Sequence, residues 1–150
     1  MKIAVRNSVL ACAAVALLAG CAAGTKRSGV QPDDLRNSTY FITDMLLSDL
    51  DFPTLQRNLF QHRAACGTAP RFVMHERETS LASLIETPEI PESYENVVIA
   101  DLIQYPDSWR SPMRVAVQVY SYYYNAEVQQ RIDRMLDAVR RPGVCEPPVQ

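Results

Sequence analysis

At 150 residues the chain holds one domain at most, and 47% hydrophobic with 21% charged residues is the balance of a globular protein, not a disordered one. Fifteen basic residues against 17 acidic ones give a net charge of −2, which supplies no electrostatic footprint for nucleic acid.

The chain opens Met1-Lys2-Ile3-Ala4-Val5-Arg6, the positive start that a secretory signal needs. Residues 8–18 follow as a short run of mostly alanine, leucine and valine. A bilayer-spanning helix needs about twenty apolar residues, and this run is roughly half that, so it is no transmembrane helix. Next comes Leu18-Ala19-Gly20-Cys21, which resembles the lipobox of bacterial lipoproteins: a branched residue, two small residues and a cysteine, read by a dedicated peptidase. The resemblance covers residues 1–21 only. It implies that residues 1–20 are a signal peptide that is removed, and that Cys21 becomes the lipid-bearing, acylated N-terminus. Several acyl chains hold a protein on a bilayer far better than one. Ala22 stands where an aspartate would, in that family, retain the protein in the inner membrane; the implied location is the cell envelope, on the periplasmic face of the outer membrane. Cleavage removes Lys2 and Arg6, leaving 13 basic residues against 17 acidic ones and a net charge of −4.

Residues 21–36 then form the lipidated N-terminus and a flexible tether, small and polar from Ala23 to Pro32, and residues 37–150 a single globular domain. As a random coil of about fifteen residues, the tether lets the domain float roughly 20 Å from the surface.

Within the domain, residues 39–47 are β-branched, aromatic and aliphatic and predict a strand. Asp51 caps a helix whose first turn accommodates Pro53, because a missing N–H leaves no bond unmade there. Leu50 and Leu55 are spaced for a hydrophobic staple. Leu55, Leu59 and Phe60 continue the helical stripe, and Cys66-Gly67 stops it. Residues 71–76 predict a strand with Phe72 and Met74 on one face. Residues 80–85 fit a short helix as well as a strand. Residues 97–105 and 113–124 are the clearest strands: Val115, Val117 and Val119 alternate with Arg114, Ala116 and Gln118, the pattern of a sheet with one buried face. The turn-forming residues 106–112 join them as a hairpin. Asn125 caps a last helix, in which Val128, Ile132, Met135, Leu136 and Val139 make one apolar face and Pro142-Gly143 the stop.

This order predicts an α+β fold, a two-layer sandwich with an antiparallel sheet of about four strands and two main helices on one face. Of four cysteines, Cys12 leaves with the leader and Cys21 carries lipid. Cys66 and Cys145 remain, an even number in an oxidising compartment, and read as one structural disulfide pinning the two helix C-termini. No Cys-x-x-Cys or zinc-ligand spacing supports a redox or metal site.

Candidate chemistry is sparse. Residues 47–55, with Asp49 and Asp51, faintly resemble the first motif of haloacid-dehalogenase-type phosphatases, but Phe52-Pro53 replaces the glycine, and helix capping accounts for Asp51. His75-Glu76-Arg77-Glu78 lacks the second histidine of a zinc-protease motif, and His62 and His75 have no catalytic serine motif beside them. No catalytic, metal or cofactor-binding residues are assigned. Two features suit a partner protein instead. Trp109-Arg110 in a loop is a common interface hot-spot pairing, or else Trp109 folds back over a sheet edge. Glu86, Glu89, Glu92 and Glu95 recur every third residue across Pro88 and Pro91. In a polyproline II segment all four line one edge facing a basic partner, and in a solvated loop they do not. The expected function is a non-enzymatic, membrane-anchored binding or assembly subunit, bound to lipid through Cys21 and to a protein of the envelope. The alternatives are an immunity or inhibitor lipoprotein acting on an envelope-directed toxin, and a small periplasmic hydrolase.

Overall fold

In the computed structural model, which describes residues 29–37, 42–48, 50–106 and 114–145, the elements run α1 (Pro32–Asn37), β1 (Ile42–Ser48), α2 (Phe52–Cys66), β2 (Arg71–Met74), β3 (Leu81–Ile85), β4 (Ile99–Tyr105), β5 (Arg114–Tyr120) and α3 (Ala126–Arg140). The two long helices start and stop where local chemistry dictates. The Asp51 carboxylate accepts the Thr54 N–H at 2.8 Å, and Pro53 occupies the first turn. At the other end Gly67 adopts the left-handed conformation (φ 78°) and returns its N–H to Arg63 O at 2.9 Å. Asn125 caps α3 in the same way, accepting from Val128 N at 2.8 Å.

The cap makes a testable prediction. Hydrogen bonds from the Thr54 side chain, and then its backbone N–H, hold the Asp51 carboxyl below its ordinary pKa. The folded value lies below the unfolded one, so the cap's contribution is complete above the unfolded pKa of about 4 and is lost as pH falls through the folded value. Asp51→Ala is expected to cost about 1 kcal/mol at pH 7 in urea denaturation. Asp51→Asn, which caps without ionising, should remove the pH dependence while retaining most of the stability.

The fold is α+β, with an antiparallel sheet of five strands in the order β1-β5-β4-β3-β2. The fifth strand is the segment that fitted helix and strand equally: Leu81–Ile85 pairs with β2 on one side and β4 on the other, so two ladders override a local preference that the residues alone leave balanced. β5 ends at Tyr120, short of the expected residue 124, because its partners β1 and β4 begin opposite it at Ile42 and Ile99 and leave no further ladder.

Register sorts the sheet into two faces. Leu47, Val115, Val117, Val119, Ala100, Leu102, Ala82 and Leu84 share one face and one apolar cluster with Phe52, Leu55 and Leu59 of α2 and with Val128, Ile132, Met135, Leu136 and Val139 of α3. The helices are joined to each other by Asn58 Nδ2 donating to Val139 O at 2.7 Å and by the Cys66–Cys145 disulfide, with Cα atoms 5.4 Å apart.

The other face carries a second, smaller cluster, and here the structure differs from the tether expected over residues 21–36. Leu35 of α1 is 1% exposed and packs with Ile85, Tyr94, Val97, Ile99 and Tyr120. Tyr94 N donates to Val30 O at 2.8 Å, and Val30 N to Ser93 Oγ at 3.1 Å. Residues 29–37 therefore belong to the domain. Gly29 holds a positive φ of 107° with Ser93 so close that a Cβ would lie 2.7 Å from the serine Cβ, so this approach requires glycine. Among the described residues no helix is long and apolar enough to cross a membrane.

Candidate interaction surface

Polar residues on the outer sheet face hold α1 in place. Ser83 and Asp101 are register partners on β3 and β4. Arg36 reaches both from α1: its Nε donates to Asp101 Oδ2 at 2.7 Å, and its Nη2 to Asp101 Oδ1 at 2.9 Å and to Ser83 Oγ at 3.2 Å. Ser83 Oγ adds a 2.8 Å bond to the same carboxylate. The hydrogen bond to Asp101 raises the Arg36 pKa against the opposing effect of burial, so the guanidinium of this planar, bidentate contact stays protonated. Sequence reasoning missed the pair. The available signal was Asp101 itself, a lone charge inside the apolar run of residues 97–103, which calls for a cation.

Beyond α1 no described element covers the outer face. A groove of about 770 Å³ is walled by Arg36, Asp101 and the His75–Arg77 turn and floored by Val73, Leu81 and Ile103. Val73 and Ile103 are 41% and 40% exposed, and Tyr105, on the same face, 49%. β2 forms one edge of the sheet. His75 N donates to Leu81 O; in an antiparallel ladder this turns the N–H and C=O groups of Phe72 and Met74 to the open side. An edge strand presents the unpaired backbone groups with which an extended segment of another chain can pair.

The glutamate row separates. Glu86 accepts Arg131 in a bidentate pair (2.8 and 2.5 Å) and Val98 N at 3.2 Å, which pins residues 86–98 to α3 and raises the Arg131 pKa. Glu95 accepts the Tyr123 hydroxyl, raising that phenol's pKa. Glu89 and Glu92 remain exposed. A bend at residues 86–89 and a turn at 95–96 break the extended repeat that one acidic edge requires. Cys21, Trp109 and Arg110 lie outside the described residues.

A smaller crevice of about 230 Å³ beneath the disulfide contains His62 with Glu86, Asp137, Arg131 and Arg134. Both carboxylates are held by arginines, Glu86 by Arg131 and Asp137 by Arg141. His62 Nδ1 lies 3.9 Å from Cys66 Sγ, and exposed His75 accepts Arg77 N at 3.4 Å. Among the described residues neither histidine is hydrogen-bonded to a carboxylate, the arrangement that orients a histidine base, and no three metal-ligating side chains converge. No known protein family, curated protein or solved structure matches this chain.

Proposed function

We propose that this protein is a lipid-anchored lipoprotein of the bacterial cell envelope that binds another protein without catalysing a reaction, as an accessory or assembly subunit. The anchor rests on the resemblance of Leu18-Ala19-Gly20-Cys21 to a lipobox. The observation that carries the binding role is the half of the outer sheet face that no described element covers, where Val73, Ile103 and Tyr105 stay exposed beside the edge strand β2. Exposed apolar surface on one face of a sheet is the usual mark of a binding site.

Docking of residues 29–37 shortens the link to the lipid. Whatever its conformation, the stretch from Cys21 to Gly29 reaches at most about 28 Å. The end of the domain carrying α1 and Ser93 is then the end nearest the bilayer.

Site-specific photo-crosslinking from position 103 in native membranes tests the reading. Wild-type protein is expected to capture one stoichiometric partner, and a Val73→Asp variant to lose it while retaining its melting temperature. Equal capture by both, or none by either, would sink the proposal. A captured secreted toxin would turn the function from assembly to immunity on the same surface.

A further inference from the structure

Arg36, Arg131 and Arg141 each hold a carboxylate of this domain. Arg63 and Arg71 hold none among the described residues. Both line a notch of about 260 Å³ between the outer side of α2, the start of β2 and Pro88. Leu59 and Phe72 give it an apolar wall, and Phe60, 74% exposed, is a second aromatic side chain along it. Among the described residues no acidic side chain lines the notch. The Nε of Arg71 is buried without a hydrogen-bond partner among the described residues, so none of the guanidinium's charge is offset by a neighbouring acceptor at that atom. Two unneutralised guanidinium groups in a domain with an acid excess make this a locally positive, partly dehydrated site. Its position matters as much. Arg71 is the first residue of β2, whose open side presents the N–H and C=O of Phe72 and Met74.

We propose that the notch binds a carboxylate side chain carried on an extended apolar segment of the partner, which adds as a strand to the open edge of β2. The guanidinium fork of Arg71 matches a carboxylate through paired N–H donors of its terminal nitrogens, and the Nε–H resonance reports on the same delocalised group. Arg63 supplies the second positive charge, and an apolar neighbour of the acid packs on Phe60 and Pro88. Strand addition provides affinity through the backbone and leaves sequence choice to the notch. The inference deepens the protein-binding reading, and its test needs neither the lipid nor the natural partner.

The ¹⁵N-labelled full chain in detergent solution, titrated with the peptide acetyl-Val-Phe-Glu-Val-amide, tests the site. A saturable shift of the Arg71 Nε–H resonance is expected, with amide shifts confined to β2. Changing the peptide's glutamate to glutamine, or Arg71→Gln, should weaken binding by about tenfold or more. Arg63→Gln, on an exposed position that leaves the core intact, should weaken it several-fold. Sodium acetate and inorganic phosphate separate the sources of the anion. Saturation by either as tight as by the peptide would overturn the peptide ligand. Unsaturable peptide shifts, or equal binding of the glutamine peptide, would overturn the site. Neither result would touch the anchor or the groove around Ile103.

Discussion

Replacing Cys66 and Cys145 with serine is expected to lower the stability of the domain by about 2–4 kcal/mol and its melting temperature by roughly 10–25 °C. The bond closes a loop of 79 residues between the C-terminal end of α2 and the segment following α3. Closing so long a loop removes unfolded-state entropy worth ~4.5 kcal/mol at most in the chain-entropy model. Without it, α2 and α3 remain joined by their shared apolar cluster and by Asn58 to Val139 O. Circular dichroism melts of the wild type with and without reductant, and of the double serine variant, should give two matching low transitions and one high one. Three coincident transitions would mean that the bond contributes nothing to the native state. A domain that needs this bond keeps its margin only in an oxidising space.

The second large effect belongs to Leu35. It is buried to 1% exposure beneath a helix of six residues that is too short to persist alone. Leu35→Ala removes the apolar contact that seats α1 on Ile85, Ile99 and Tyr120. A loss of about 2–3 kcal/mol is expected in urea denaturation. Because α1 can also leave the sheet locally, the Tyr94 amide, bonded to Val30 O, should exchange faster than the amides of β5. Unchanged stability together with unchanged Tyr94 exchange would mean that residues 29–37 are a mere extension of the tether.

What the residues reveal on their own follows from how local each cause is. Asp51, Gly67 and Asn125 act within one turn of their helices, and all three perform the capping or stopping expected of them. The Val115, Val117, Val119 alternation is visible because one ladder face is wholly buried. Leu81–Ile85 was ambiguous because its strand state comes from two neighbours far away in sequence. The docking of α1 was invisible for the same reason. Its lone buried leucine has no periodicity, and Arg36 finds Asp101 65 residues away. The evenly spaced glutamates misled in the opposite direction: the spacing is real, but Arg131 and Tyr123, 45 and 28 residues away, take two of the four. The orphaned Nε of Arg71 is a property of its buried surroundings, which no local pattern encodes.

The export and acylation of Cys21 carry the greatest weight in the functional account, and intact-mass measurement of the protein from native membranes tests them directly. The expected result is a chain beginning at Cys21 with the mass of its acyl groups added and residues 1–20 gone. A chain that retains its leader, or one that begins at residue 21 with a free thiol, would contradict it.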